Sequence, residues 1–339
     1  MKLVSKTVKT HLLKVIISDN LSEFKSLSQS LSSLNNIISD KSGDNSLHLC
    51  SIFNSINIMG YLLCDDCVHQ IDVNLKNREE KSALHLSSQY KHLKCVEMLL
   101  KNRQTIVDVL NRSDWTPMML ALTKVNNLDV VKLLVANGSN VNLENKDGWT
   151  CFHIAVRSGD LPQIQYLLSC DSSVWRTRSK TKRTPLHTAV LNGYHSLVEF
   201  LLDNCNFDGD ESDSCGFTPF MEALRCDNLD ICRHLQQKRN INPFLTDILG
   251  RNGLHLSCEC NALNAIRYLI TELNFDVNCV TINTNLTPLH MAVKEGHIET
   301  IELLKEFGAD LQIKDNKQRK PLDLAIDLKR DNCLKLLQL

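Results

Sequence analysis

Six of the twelve histidines, His48, His85, His153, His187, His255 and His290, stand three residues after an Asn, Ser or Thr that opens a short apolar run. Taken singly, an imidazole can serve as a general base or a metal ligand. Recurrence at one place in a repeating segment assigns these six instead to holding a loop against a helix start, where backbone N–H groups lack intrahelical partners. Cys64-Asp65-Asp66-Cys67 has the pair spacing of a zinc site, but no second CxxC or HxxxH accompanies it, and Cys258 and Cys260 are too close together. Asp208, Asp210 and Ser212 alternate as in a calcium loop, yet Asp213 stands where that loop needs glycine and Pro219 where it needs glutamate. Asp208 to Asp213 is therefore expected to be a solvated fingertip. With no GxxxxGK[ST], HExxH or GxSxG, the chain is expected to be no enzyme and to hold no cofactor or metal.

The elements that must position these residues repeat. TPLH at Thr184 and Thr287, TPMM at Thr116, TPFM at Thr218 and TCFH at Thr150 are joined by weaker copies at Asn45, Ser82, Asn252 and Lys320. Successive starts are 37, 34, 34, 34, 34, 34, 35 and 33 residues apart. Threonine caps a helix whose first turn tolerates proline, because that N–H has no intrahelical partner. A turn near Gly159, Gly193 or Gly296 follows, and then a second helix ending in Leu133-Leu134, Leu167-Leu168, Leu201-Leu202 or Leu303-Leu304. Such short helices are unstable alone and must bury their leucines against neighbours.

The pattern resembles the ankyrin repeat from about Lys41 to Leu339. The expected fold is an all-α repeat solenoid of about nine stacked helix-turn-helix repeats over 41–339, with short β-hairpin fingers. Residues 1–40 supply N-terminal capping helices, read from His11 to Leu27.

Composition agrees. The 339 residues are 43% hydrophobic with a net charge of −1, so overall charge selects no partner. No apolar run reaches membrane-span length and the first residues lack a secretory cleavage pattern, so the chain is expected to stay where it is made, as a monomer. Cysteines such as Cys95 and Cys232 lie at apolar helix positions, as reduced thiols do.

Columns read along the fingers carry the specific information. The position before each repeat start holds Asp44, Lys81, Trp115, Trp149, Arg183, Phe217, Arg251, Leu286 and Arg319. Trp115, Trp149, Arg183 and Phe217 are expected to form a partner-binding ridge, since Trp and Arg recur as binding hot spots; the alternative is that each indole packs on its neighbour. Four residues before the start stand Lys41, Arg78, Arg112, Lys146 and Lys180, then Ser214, Ile248, Asn283 and Asn316. Unless Glu79, Glu80 and Asp147 cancel it, the first five form a basic stripe for an acidic protein surface or a phosphate-bearing ligand. Direct nucleic-acid binding is not expected, because no dense Arg/Lys cluster is present.

Ser113 to Asn126, Asn145 to Asp160 with Ile164 to Leu168, Val174 to Ala189 and Ala265 to Asn278 resemble the ankyrin repeat domain-containing protein 16 family. Non-consensus residues such as Trp115, Trp149, Phe152 and Trp175 carry the match. The resemblance implies a cytoplasmic and nuclear co-regulator that binds alanyl-tRNA synthetase through fingers and concave face. Its lysines capture misactivated serine before it reaches tRNA. The matching acceptor segments surround Arg112, Lys146 and Arg176, and of these only Lys146 is a lysine. Arginine stays protonated and cannot act as the amine nucleophile, though Arg112 and Arg176 can hold phosphate or carboxylate. Lys180 and Lys182 are substitute acceptors. The competing reading is a plain adaptor or scaffold without lysine chemistry; that no further module follows Leu339 speaks for the regulator.

Overall fold

The computed structural model describes residues 6–29, 35, 38–39, 41–64 and 71–338. Two compact units divide the chain, one running through Ser179 and the other beginning at Lys180. Each is a stack of short helix pairs. Twenty helices and no strand occur among the described residues, so the expected hairpin fingers close as tight turns rather than as ladders.

The repeat starts behave as their sequence dictates. Thr184 and Thr287 sit at extended N-caps, their hydroxyls accepting from the His187 and His290 backbone N–H at 3.4 and 3.3 Å, and proline opens both helices. First helices such as Cys151–Ser158 and Pro185–Leu191 bury six consecutive residues each. Second helices present one apolar face: His195–Asn204 buries Leu197, Val198, Leu201 and Leu202. Gly159 and Gly296 end their helices in the left-handed conformation at φ 72° and 86°. None of these helices is long enough to persist alone; each buried leucine contributes about 2 kcal/mol only once a neighbouring repeat covers it.

Helices Lys6–Ile17 and Leu21–Ser28 form the first pair. Asp19 holds this pair to the next by accepting from the Asn57 and Ile58 backbone N–H, both at 3.0 Å. In the second unit Asp227 does the same for Ala265 at 2.7 Å. The divergent opening segment thus docks like an ordinary repeat.

Candidate functional site

Six fingers are built on a residue five before the repeat start. In the first unit it is asparagine: Asn77, Asn111 and Asn145 accept through Oδ1 from the backbone N–H groups two and four residues on, at 2.9–3.0 Å. In the second unit Asp213, Asp247 and Asp315 do this work at 2.8–3.0 Å. These buried carboxylates also take an arginine each: Arg183 on Asp213 at 3.2 Å, Arg251 on Asp247 at 2.7 Å and Arg319 on Asp315 at 2.8 Å. The expected solvated fingertip is corrected at one end: Asp208 and Ser212 are exposed, but Asp213 is buried on backbone amides that fix the turn, and Asp210 accepts from the Asn242 backbone N–H at 2.9 Å.

The histidines tie helix starts to the next finger. In His85, His187 and His290, Nδ1 accepts from the N-cap backbone N–H at 3.1–3.2 Å. Their Nε2 groups face the carbonyls of Trp115, Phe217 and Arg319 at 2.9, 2.9 and 3.2 Å, as His48 and His255 face those of Lys81 and Leu286. Accepting on one nitrogen while donating from the other requires the neutral ring. Burial accordingly pushes His85 and His255 down to about 4, and lowers His48 and His290 against the opposing pull of Asp44 and Asp315. These rings are joints.

In the first unit the structure brings Arg112, Trp115 and Lys146 together on successive fingers. Arg112 is exposed and donates from Nη2 to the Arg78 carbonyl at 2.6 Å; the Lys146 ammonium donates in the same way to the Arg112 carbonyl. Trp115 lines a cleft of about 360 Å³ with Arg112, Lys81, Leu120 and Thr123. Trp149 is half-buried: its ring tilts against His153 at 5.8 Å and lies under the Arg157 guanidinium at 5.4 Å. The indole expected to stand open is thus partly packed by its own repeat, since Arg157 on the following helix reaches back over it. Arg176 is exposed, its guanidinium 5.1 Å from the Trp175 ring.

In the second unit, Lys180 and Lys182 are exposed. Arg183 is half-buried and holds the buried carboxylates Asp213 and Glu222, so its charge is spent inside the finger. Phe217 lies between Arg225 at 4.8 Å and Arg251 at 6.0 Å.

Of the basic column, Arg78, Arg112 and Lys146 stand on successive bonded fingers of the first unit, the Arg112 and Lys146 side chains each reaching the carbonyl one finger back. In the first unit, exposed Glu79, Glu80 and Asp147 interleave with them, Glu79 reaching the Lys81 ammonium at 2.8 Å. In the second unit the finger segments 213–217, 247–251, 281–286 and 315–319 carry no exposed carboxylate, all three of their aspartates being buried. Reading one column missed this; reading the Asn-to-Asp change one residue earlier would have found it.

Buried Cys95 and Cys232 sit in the core as expected, burial pushing the Cys95 thiol up to about 12. Of the Cys64 to Cys67 pair, residues 65–67 lie outside the described residues. No helix among the described residues is long and apolar enough to cross a membrane.

Paired helices, a fixed-register cap and inter-finger bonds define a helical repeat solenoid in each unit. The family model for ankyrin repeats in three copies matches residues 65–145, 123–213, 152–247, 205–281 and 254–338. The chain belongs to the ankyrin repeat family, whose repeats mediate protein–protein interaction. It is similar to the inhibitor of Bruton tyrosine kinase of Xenopus laevis, 33% identical over 24% of this chain and 6% of that protein. Palmitoyltransferase AKR1 of Lachancea kluyveri is 36% identical over 24% of the chain and 11% of its own length. A putative ankyrin repeat protein of Rickettsia bellii is 30% identical over 34% of the chain and 64% of its own. The matched stretch is thus a small part of the first two relatives, whose names differ in activity.

Proposed function

We propose that the protein is a binding co-regulator of alanyl-tRNA synthetase that limits serine misincorporation, with Lys146 as a stoichiometric acyl acceptor. The supporting observation is the grouping of exposed Arg112 and Lys146 beside the Trp115 cleft, on fingers whose sequence resembles the ankyrin repeat domain-containing protein 16 family. Residues 1–40 cap a body of about nine repeats over 41–339, and Arg176 with the Trp149 finger extends the docking face. Cytoplasm and nucleus are the compartments this reading requires. The synthetase supplies seryl-adenylate, a mixed anhydride. The lysine amine attacks its carbonyl carbon, an amide forms, the acyl–phosphate bond breaks and AMP leaves, while the amine's proton passes to solvent. Only a neutral amine attacks, and that is roughly one in a thousand or less of an ordinary lysine at pH 7, so positioning must raise the local concentration. Lys180 and Lys182 are the substitute acceptors. Arg183 and Phe217 serve the second unit's fingers chiefly as internal packing.

Incubation of the protein with alanyl-tRNA synthetase, serine and ATP, followed by pull-down and peptide mass mapping, tests the proposal. A seryl adduct on Lys146 is expected. Failure to bind removes it, and binding without an adduct on Lys146, Lys180 or Lys182 leaves the adaptor reading, for which the family's interaction role speaks.

A further inference from the structure

Four consecutive fingers of the second unit form a bonded row. The backbone N–H of Ile248 donates to Cys215 at 3.1 Å, that of Ile282 to Gly250 at 3.4 Å and that of Asn316 to Thr284 at 3.1 Å; Ser214 donates likewise to Thr181 at 2.8 Å. Close approach is enforced at glycine: a Cβ on Gly216 would lie 2.8 Å from the Ile248 nitrogen, and one on Gly250 2.8 Å from that of Ile282. Along this row the middle fingers expose Ile248 at 65%, Leu249 at 53% and Ile282 at 74%. Contiguous exposed aliphatic side chains on successive fingers mark an interaction surface. The row is bounded by exposed Lys180 and Lys182 at one end and exposed Lys314 and Lys317 at the other, while Asp213, Asp247 and Asp315 are buried on backbone amides and arginines.

We infer that this row binds an extended protein segment with an apolar centre and carboxylates at both ends. Charge complementarity selects it: nothing acidic on the finger segments answers the flanking lysines. Fingers about 10 Å apart and a rise of about 3.3 Å per residue place one partner side chain on each finger roughly every third residue, over about twelve residues. The row is aliphatic and lacks the Trp and Tyr that anchor surfaces at a lipid interface, which favours protein over membrane. The inference concerns fingers of the second unit, shares only Lys180 and Lys182 with the proposed acceptor residues, and stands whether or not the synthetase is a partner.

The test uses the full chain and a fluorescein-labelled twelve-residue peptide with a Leu/Val centre and two glutamates at each end, followed by anisotropy. Binding is expected, and Ile248→Ser with Ile282→Ser should weaken it roughly tenfold or more. Lys182→Glu with Lys317→Glu should weaken it to a similar degree and flatten its salt dependence, with melting curves unchanged because all four side chains are exposed. A peptide with lysines in place of the glutamates should not bind. Equal binding of both peptides, or unchanged affinity in either double variant, overturns the inference. So does sedimentation with phosphatidylserine vesicles without peptide binding, or a dimer abolished by the isoleucine variant.

Discussion

Under the proposed acyl capture, Lys146 has one nitrogen and two demands on it. Its ammonium donates to the Arg112 carbonyl, which helps hold one finger to the next, while acyl capture needs the deprotonated amine released from that bond. Lys146→Arg keeps a cationic donor and removes the nucleophile. Mass mapping should lose the adduct at this site while stability changes by less than about 0.5 kcal/mol, and an adduct persisting at the same efficiency on the chain would move the acceptor to Lys180 or Lys182. His187 is the contrasting residue, buried and bonded on both ring nitrogens. His187→Ala strands a buried N–H and a carbonyl and should cost roughly 2–4 kcal/mol in urea unfolding; a loss below about 1 kcal/mol would show that water replaces the ring.

At the scale of the element, finger spacing rests on glycine at close approaches. Gly216 has φ 83° and no room for a Cβ, whereas Gly138 has φ 89° with nothing within 4 Å of one. Gly216→Ala should cost at least ~2 kcal/mol and Gly138→Ala only ~1 kcal/mol. Equal costs in paired melts would mean that the fingers part freely. Helix starts were legible because Thr-Pro-Leu-His states its cap, its first-turn proline and its bridging ring in four adjacent residues. The chemistry of the fingers was less legible. Trp149 is shielded by Arg157, eight residues away on the next helix, and Arg183 is neutralised by Asp213 and Glu222, thirty and more residues on. Such contacts exist only once neighbouring repeats have stacked. The turn-forming Asn or Asp column escaped notice because each member looks like any polar loop residue until its bonds to two backbone amides are seen.

For the whole molecule, the neutral rings make stability depend on pH. His85 and His255 titrate near 4 in the fold against about 6.5 in the unfolded chain. Above about 6.5 both states hold neutral rings and the stabilisation is complete. As pH falls, the unfolded chain binds protons first, so stability is lost progressively toward pH 4, up to about 3 kcal/mol for each such ring. Urea midpoints should therefore drop steadily from pH 7 to pH 5, with His48 and His290 adding in the same direction. A flat profile across that window would mean the rings are hydrated before they protonate.

The ring-to-carbonyl ties do not run through every repeat. Met119 and Met221 stand where histidine would be, and a thioether has no proton to donate to a carbonyl of the next finger. Pulled from its ends, the chain would behave less like a uniform spring than like a zip with two marked release points. The first rupture in each unit is expected at these methionine seams, and a Met119→His or Met221→His substitution should raise the force at which its unit opens.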